Sequence, residues 1–293
     1  MLEDFLAEER RKVEQALEAV LPPEHLWPQE LHRAMRYAVL AGGKRLRPIL
    51  FRWGHALAGG NPEEVTFAAC GVELIHTYSL VHDDLPAMDN DTLRRGKPTV
   101  HVVFGEALAI LAGDALLTEG FRLLATYPQG ERWAAGRGEV CRLLAEAVGS
   151  RGMVGGQVED LQAMGKEPDP QRLQRLHLAK TAQFLAACLV AGAVLAGAPA
   201  ETCNKLHRFG LQLGLAFQIA DDLLDVTGCT EELGKTAGKD QIQDKLTYPK
   251  VYGLAASWQA LQDLTGGLMV EAGELDPTGK LQALVEFVGR RRA

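Results

Sequence analysis

KLHRFGLQLGLAFQIADDLLDV, at 205–226, is apolar nearly all the way round, yet it carries Gln218, Asp221, Asp222 and Asp225. These four stand at i, i+3, i+4 and i+7, so on a helix they form one polar stripe. A helix apolar on every side belongs at the centre of a bundle. The stretch therefore predicts an all-helical fold with acids on an inward helix. GVELIHTYSLVHDDLPAMD, at 71–89, repeats the pattern: His76, Ser79 and Asp83 lie at i, i+3 and i+7, and Asp84 follows. Pro86 lacks a donor and crowds the preceding turn, so it ends the helix and leaves Asp89 in the loop.

Such acids are costly without a cation. Two carboxylates about 4 Å apart repel by roughly 4 kcal/mol at an effective dielectric of 20. At a helix C-terminus the macrodipole adds to that repulsion. One DD pair alone reads as a solvated helix end, but two aspartate triads on apolar helices point to hard cations. Mg²⁺ suits them, because it takes oxygen ligands and keeps waters and phosphates in its shell.

Working outward, helix formers dominate the chain. DFLAEERRKVEQALEAVL is amphipathic, and ELHRAMRYAVLAGG closes on a Gly pair. Further helical runs begin near Glu64, Gly105, Glu139, Arg172 and Glu201. Breakers separate them at 59–62, 94–98, 126–130, 166–170 and 196–199. TVHVVF at 99–104 is strand-like, and one strand makes no sheet. FLAACLVAGAVLAGAPA, at 184–200, is uncharged but shorter than the roughly 20 residues of a membrane span, and it reads as a core helix. The expectation is one all-α domain, residues 1–293, of about ten helices.

The 293 residues are 47% hydrophobic and 24% charged, with a net charge of -7. These globular values exclude a disordered chain. The acidic balance argues against nucleic acid as a partner, which would need a basic face. Five cysteines, odd in number and widely spaced with no C-x-x-C, fit reduced thiols in a cytosol. MLEDFLAEERRK has no apolar h-region, so no signal peptide is expected and the expected location is cytoplasmic.

The cations cluster beside both acidic triads. Gly42-Gly43-Lys44-Arg45-Leu46-Arg47-Pro48 offers glycines for close backbone approach and three cations for a diphosphate. Arg94-Arg95-Gly96-Lys97 follows the first triad, and Lys235, Lys239 and Lys245 follow the second; Lys180-Thr181 sits in a helical run. Acids collecting metals next to cations collecting phosphates make a site for a metal-bound diphosphate. Other motifs fail. GCTEELGKT has Walker A spacing off by one residue, Asp89-Asn90-Asp91 lacks the rest of an EF-hand, and no G-x-S-x-G occurs. His25, His32, His55, His82, His101, His177 and His207 form no zinc spacing and read as surface or packing residues.

Together these residues resemble the trans-polyprenyl synthetase family. DDLPAMD at 83–89 is similar to its first aspartate-rich motif, D-D-x4-D, and DDLLD at 221–225 to its second, D-D-x2-D. GGKRLRP, ELIHTYSLVHDD, RRGKPT, AGDALLT, GMVGGQVED and FQIADD follow in the family's order, over nearly the whole chain. The resemblance looks closest to the bacterial farnesyl diphosphate synthases. Lys180-Thr181-Ala182 departs from the usual K-T-G, which puts only local backbone geometry in doubt.

The resemblance implies antiparallel helices around a central cavity, a homodimer, no membrane partner, and three Mg²⁺ ions, with Mn²⁺ able to substitute. Asp83, Asp84, Asp89, Asp221, Asp222 and Asp225 match metal-binding positions, Asp222 acting through water. Arg94, Lys180, Thr181, Gln218, Lys235 and Lys245 match contacts to the allylic substrate. Gly43, Lys44, Arg47, His76 and Arg95 match contacts to isopentenyl diphosphate. Asp83, Asp84, Asp221, Lys180 and Arg94 are the candidate catalytic groups. Tyr78 and Ser79 are the candidate determinants of product length, with farnesyl diphosphate expected. A geranylgeranyl diphosphate synthase shares every one of these motifs. A terpene cyclase would replace DDLLD, and a non-catalytic partner subunit would lose an aspartate motif.

Overall fold

The computed structural model describes residues 2–228 and 242–290, with side chains from residue 5. Its helices are α1 Leu2–Val20, α2 Gln29–Val39, α3 Leu46–Leu57, α4 Thr66–Asp83, α5 Val100–Phe104, α6 Glu106–Thr126, α7 Ala134–Val148 and α8 Met153–Ala163. α9 runs Pro170–Leu195 and α10 Ala200–Thr227. α11 Tyr248–Tyr252, α12 Leu254–Leu275 and α13 Lys280–Gly289 follow. The all-α expectation holds, and every breaker falls between helices or on a helix end. Thirteen helices among the described residues exceed the expected ten, because short turns such as α5 and α11 carry no periodicity long enough to read.

α4 and α10 are the inward helices. Fourteen residues of α4 are buried, from Thr66 to Asp83, on all its sides. α10 buries Leu206, Phe209, Leu213, Ala216, Ile219 and Leu223 together with Asp222 and Asp225. The second half of α9, Phe184–Leu195, is almost wholly buried, which bears out the core-helix reading of 184–200. One contiguous apolar core links α1 to α13. A small satellite of Ala163, Leu173 and Leu246 ties α8 and α9 to the segment before α11.

TVHVVF is not a strand. Thr99 accepts the backbone N–H of both Val102 and Val103, and Val100–Phe104 forms α5. β-branched residues favour strands only where a partner ladder exists. The pairing that does form lies just upstream, a two-residue hairpin of β1 Leu93–Arg94 and β2 Lys97–Pro98. This hairpin carries the Arg94-Arg95 pair.

Candidate active site

α4 stops where the sequence said it would. Past Asp83 the chain folds back, with the Asp89 N–H donating to the Asp83 carbonyl at 2.8 Å and the Asp91 N–H to the Asp84 carbonyl at 3.1 Å. The turn sets Asp83, Asp84, Asp89 and Asp91 around one helix end. Two adjoining cavities open there, of about 330 Å³ and 180 Å³. Asp83, Arg94, Lys180, Gln218 and Asp221 line both. The two aspartate motifs therefore meet across one shared wall.

The remaining candidates divide between the cavities. Gly43, Lys44, Arg47, His76, Ser79, Arg95 and Thr181 line only the larger. Asp89, Asp222 and Lys245 line only the smaller. Asp84 lines neither and accepts from the Arg94 guanidinium. Asp225 is buried at 2% exposure and lines neither. Tyr78 lies outside both linings, with its ring edge-to-face on His82 at 5.7 Å. Lys235 and Lys239 lie outside the described residues.

Local backbone explains how the cations reach the cavity. Arg45 and Arg95 adopt left-handed φ of 53° and 54°, unusual for residues with a side chain. Arg45 turns inward, pairing with buried Glu73 at 2.8 Å and donating to the Val39 carbonyl at 2.7 Å. Of the three cations in GGKRLRP, Arg45 thus braces the loop through this buried pair. Arg95 donates to the Gly42 carbonyl, and its guanidinium fills the space where a Gly43 Cβ would stand, 2.6 Å away. Gly43 is needed for Arg95 as much as for any ligand. Across the cavity, α9 is interrupted by a π-helical turn, Leu178–Ala182, that presents Lys180 and Thr181. Such turns often mark functional sites. Ala182 takes an ordinary right-handed helical conformation, φ -69° and ψ -42°, so alanine in place of the family's glycine is unstrained.

Four of the acids meet donors. Arg94 holds Asp84 at 2.5 Å, Lys180 holds Asp160 at 2.6 Å, and Lys245 holds Asp89 at 3.0 Å. Gln157 donates to Asp83 at 2.8 Å. Burial pushes the Asp83 carboxyl up, and Asp89 adds to the effect. Burial also pushes Asp84 up to about 6, against the opposing pull of Arg94. Burial alone would lower the Lys180 ammonium, but Asp160, Asp83 and Asp89 together hold it raised. His76 is pushed well below its ordinary value, first by burial and then by Arg47, Arg95, Arg94 and Arg45. At neutral pH it is an uncharged member of a guanidinium cluster.

Four groups escaped the sequence reading. Gln157 and Asp160 stand one turn apart on α8, inside GMVGGQVED, and both line the site. His177 is packed, as expected, but it also lies in the site. It lines the smaller cavity, with Nε2 3.3 Å from the Asp222 carboxylate and its ring stacked on Tyr248. Its position three residues before Lys180 was the available signal. Asp91 completes the acidic wall.

The donor set fits magnesium. It consists of carboxylate oxygens, and burial leaves Asp83 and Asp84 poorly solvated, so a dication would relieve them. Among the described residues no three acids or histidines form a ready-made cage. That suits an ion that completes its shell with water and substrate phosphate.

A sequence model of the family described as polyprenyl synthetase matches residues 28–273. A chloroplastic geranylgeranyl pyrophosphate synthase of Catharanthus roseus is 45% identical over 294 residues, covering 98% of this chain and 80% of that protein. A farnesyl diphosphate synthase of Bacillus subtilis is 43% identical, covering 92% and 93%. The crystal structure of a Helicobacter pylori geranyltransferase, complexed with magnesium and isoprenyl diphosphate, superposes with a TM-score of 0.86 at 33% identity, covering 97% and 95% of the two chains.

Proposed function

The chain belongs to the polyprenyl synthetase family, and from that premise we propose that it is a Mg²⁺-dependent prenyltransferase extending allylic diphosphates with isopentenyl diphosphate to farnesyl diphosphate. One observation carries this reading. Asp83, Lys180, Arg94 and Asp221 form a wall common to two cavities, while Lys44, Arg47, His76 and Arg95 line only the larger one. Two diphosphates need two separate sets of donors facing a common reaction space.

In this reading the allylic diphosphate lies against Arg94, Lys180 and Lys245. Bound magnesium, three ions with Mn²⁺ as a substitute, would be held by Asp83, Asp89 and Asp221, the motif acids that line the cavities, with Asp84 and Asp225 behind that wall, and would neutralise charge on the departing pyrophosphate. Lys180 and Arg94 stabilise the same charge as the C1–O bond breaks. Lys44, Arg47, His76 and Arg95 fix isopentenyl diphosphate so that its double bond faces the allylic C1, an orientation effect. The new C–C bond forms from that π pair. The proton then lost from the former isopentenyl carbon goes to the released pyrophosphate. The Gln218 side-chain oxygen and the Thr181 carbonyl turn negative dipoles toward the electron-poor carbon, and the apolar walls exclude water.

Tyr78, buried at 6% exposure below Ser79, supports the C15 product. A geranylgeranyl product is the second reading, favoured by the 45% identity to a plant synthase of that chain length. The protein works in this proposal as a cytoplasmic homodimer. Incubation with labelled isopentenyl diphosphate, dimethylallyl diphosphate and Mg²⁺ tests it. C15 product that disappears with EDTA and returns with Mg²⁺ is expected. No condensation refutes the prenyltransferase reading, and mainly C20 product refutes the chain length alone.

A further inference from the structure

Asp222 belongs to the second aspartate motif, but the protein itself engages both of its oxygens. Oδ1 accepts from Gln218 Nε2 at 2.9 Å, and Oδ2 accepts from the Tyr248 backbone N–H at 2.8 Å. His177 Nε2 lies 3.3 Å from Oδ2, and Asp222 is 3% exposed. On the other side of the Gln218 amide, Thr181 Oγ1 donates to Oε1 at 2.7 Å. A carboxylate can only accept, so the amide NH₂ must face Asp222. The amide oxygen is then forced toward Thr181 and the cavity. Without Asp222 the amide has two nearly equivalent orientations, one of which turns its positive end to the reacting carbon.

We propose that Asp222 is a positioning residue that locks the Gln218 oxygen toward the allylic carbon, with His177 and the Tyr248 N–H holding Asp222 in turn, and that it is not a metal ligand. This deepens the prenyl-transfer reading and rests on it. Asp221, its neighbour in sequence, points into both cavities and keeps the metal role.

Three measurements test the division. The first is Mg²⁺ binding, by calorimetry in the presence of the unreactive analogue geranyl S-thiolodiphosphate. Asp222→Asn should leave the Mg²⁺ dissociation constant within about twofold, while Asp221→Asn weakens it by roughly tenfold or more. The second is a double-variant comparison of kcat. Gln218→Ala combined with Asp222→Asn should be no slower than Gln218→Ala alone, because residues acting as one unit are non-additive. The third is rescue. In Asp222→Asn the Tyr248 N–H keeps the Asn oxygen and the NH₂ faces Gln218, so the Gln218 amide must flip its oxygen away from the cavity or lose the bond, whereas the exchange Gln218→Glu with Asp222→Asn restores a donor–acceptor pair and keeps an oxygen toward Thr181. The exchanged pair should recover kcat and melting temperature over Asp222→Asn, and it stands as the decisive reading even where that single variant is too unstable to assay. Weakened Mg²⁺ binding in Asp222→Asn, multiplicative losses in the double variant, or no rescue would each overturn the assignment. A wild-type protein without prenyl transfer would instead overturn the function on which it rests.

Discussion

His76 and Arg47 lie in the same cavity as Lys180, but they serve a different charge. Arg47 is half-buried, its Nε is enclosed without a hydrogen-bond partner, and desolvation lowers its pKa. His76 is kept neutral beside it. A diphosphate entering here gains charge-assisted hydrogen bonds from groups that have little else to lose. Removing one such partner costs roughly 1.5–3 kcal/mol, or about ten- to a hundredfold. Arg47→Ala and His76→Ala should therefore raise KM for isopentenyl diphosphate by that order, and KM for the allylic substrate much less. Lys180→Ala should do the reverse or lower kcat, since Lys180 lies on the wall shared with Asp83 and Asp221. Initial rates with each substrate varied in turn decide it, and equal effects on both would merge the two pockets into one. At this scale the motif acids and cations were legible because their spacing is local. Asp160 and His177 were not, because their roles arise from contacts to Lys180 and Asp222 that no spacing encodes.

Among the elements, α8 and the π-turn of α9 decide where Lys180 points. A Cβ on Gly156 would stand 2.4 Å from the Lys180 backbone nitrogen and 2.5 Å from its Cα. Neither partner is a flexible side chain, so Gly156→Ala must push the turn and α8 apart. Overpacking of this kind costs about 1–3 kcal/mol. A lowered melting temperature together with a lowered kcat is expected; a variant melting and turning over like wild type would show that the turn yields freely. The sequence marks a helix at Arg172 but not its π-turn, because a single inserted residue leaves apolar periodicity intact on both sides. α4 presents a second element-level question. His76, Ser79, Leu80 and Asp83 line the larger cavity, while Tyr78 turns away onto His82, whose ring meets the Ile110 carbonyl of α6 at 3.0 Å. Tyr78 stands five residues before Asp83, roughly 7.5 Å deeper along the helix at 1.5 Å per residue. In the proposed C15 reading a chain growing along α4 passes Ser79, which lines the cavity, and must extend beyond that lining to meet the phenol. Tyr78→Ala should lengthen the main product to C20 or beyond, read by chromatography of the dephosphorylated alcohols. The same substitution should cost about 3–5 kcal/mol of stability as an aromatic truncation in the core. A product profile unchanged at C15 would assign the limit to another residue.

For the whole molecule, net charge and local field have opposite signs. The chain carries -7, yet the larger cavity gathers Lys44, Arg45, Arg47, Arg94, Arg95 and Lys180. That inversion was legible, since the basic segments adjoin the acidic motifs in sequence. The face of the proposed homodimer was not, because an interface helix and a core helix share one apolar signature. The structure separates them by exposure. Val102, Val103, Ile110 and Leu111, two adjacent pairs on α5 and the start of α6, are 45–55% exposed. The opposite face of α6, including Ala109 and Ala112, is fully buried beside α4. A stable pair of subunits needs about 800 Å² from each partner, with an apolar centre. In the proposed homodimer this patch would be that centre, about a two-fold axis that sets α5–α6 of one copy against the same helices of the other. Leu111→Arg would then bury an unpaired cation on each side, at a cost of roughly 3–5 kcal/mol per charge. Sedimentation equilibrium should show a wild-type dimer and a Leu111→Arg monomer at the same micromolar loading. Val270→Glu, on the exposed face of α12, should leave the dimer intact. If Leu111→Arg sediments as wild type, α5–α6 is not the interface; if Val270→Glu dissociates the dimer, the interface is on α12.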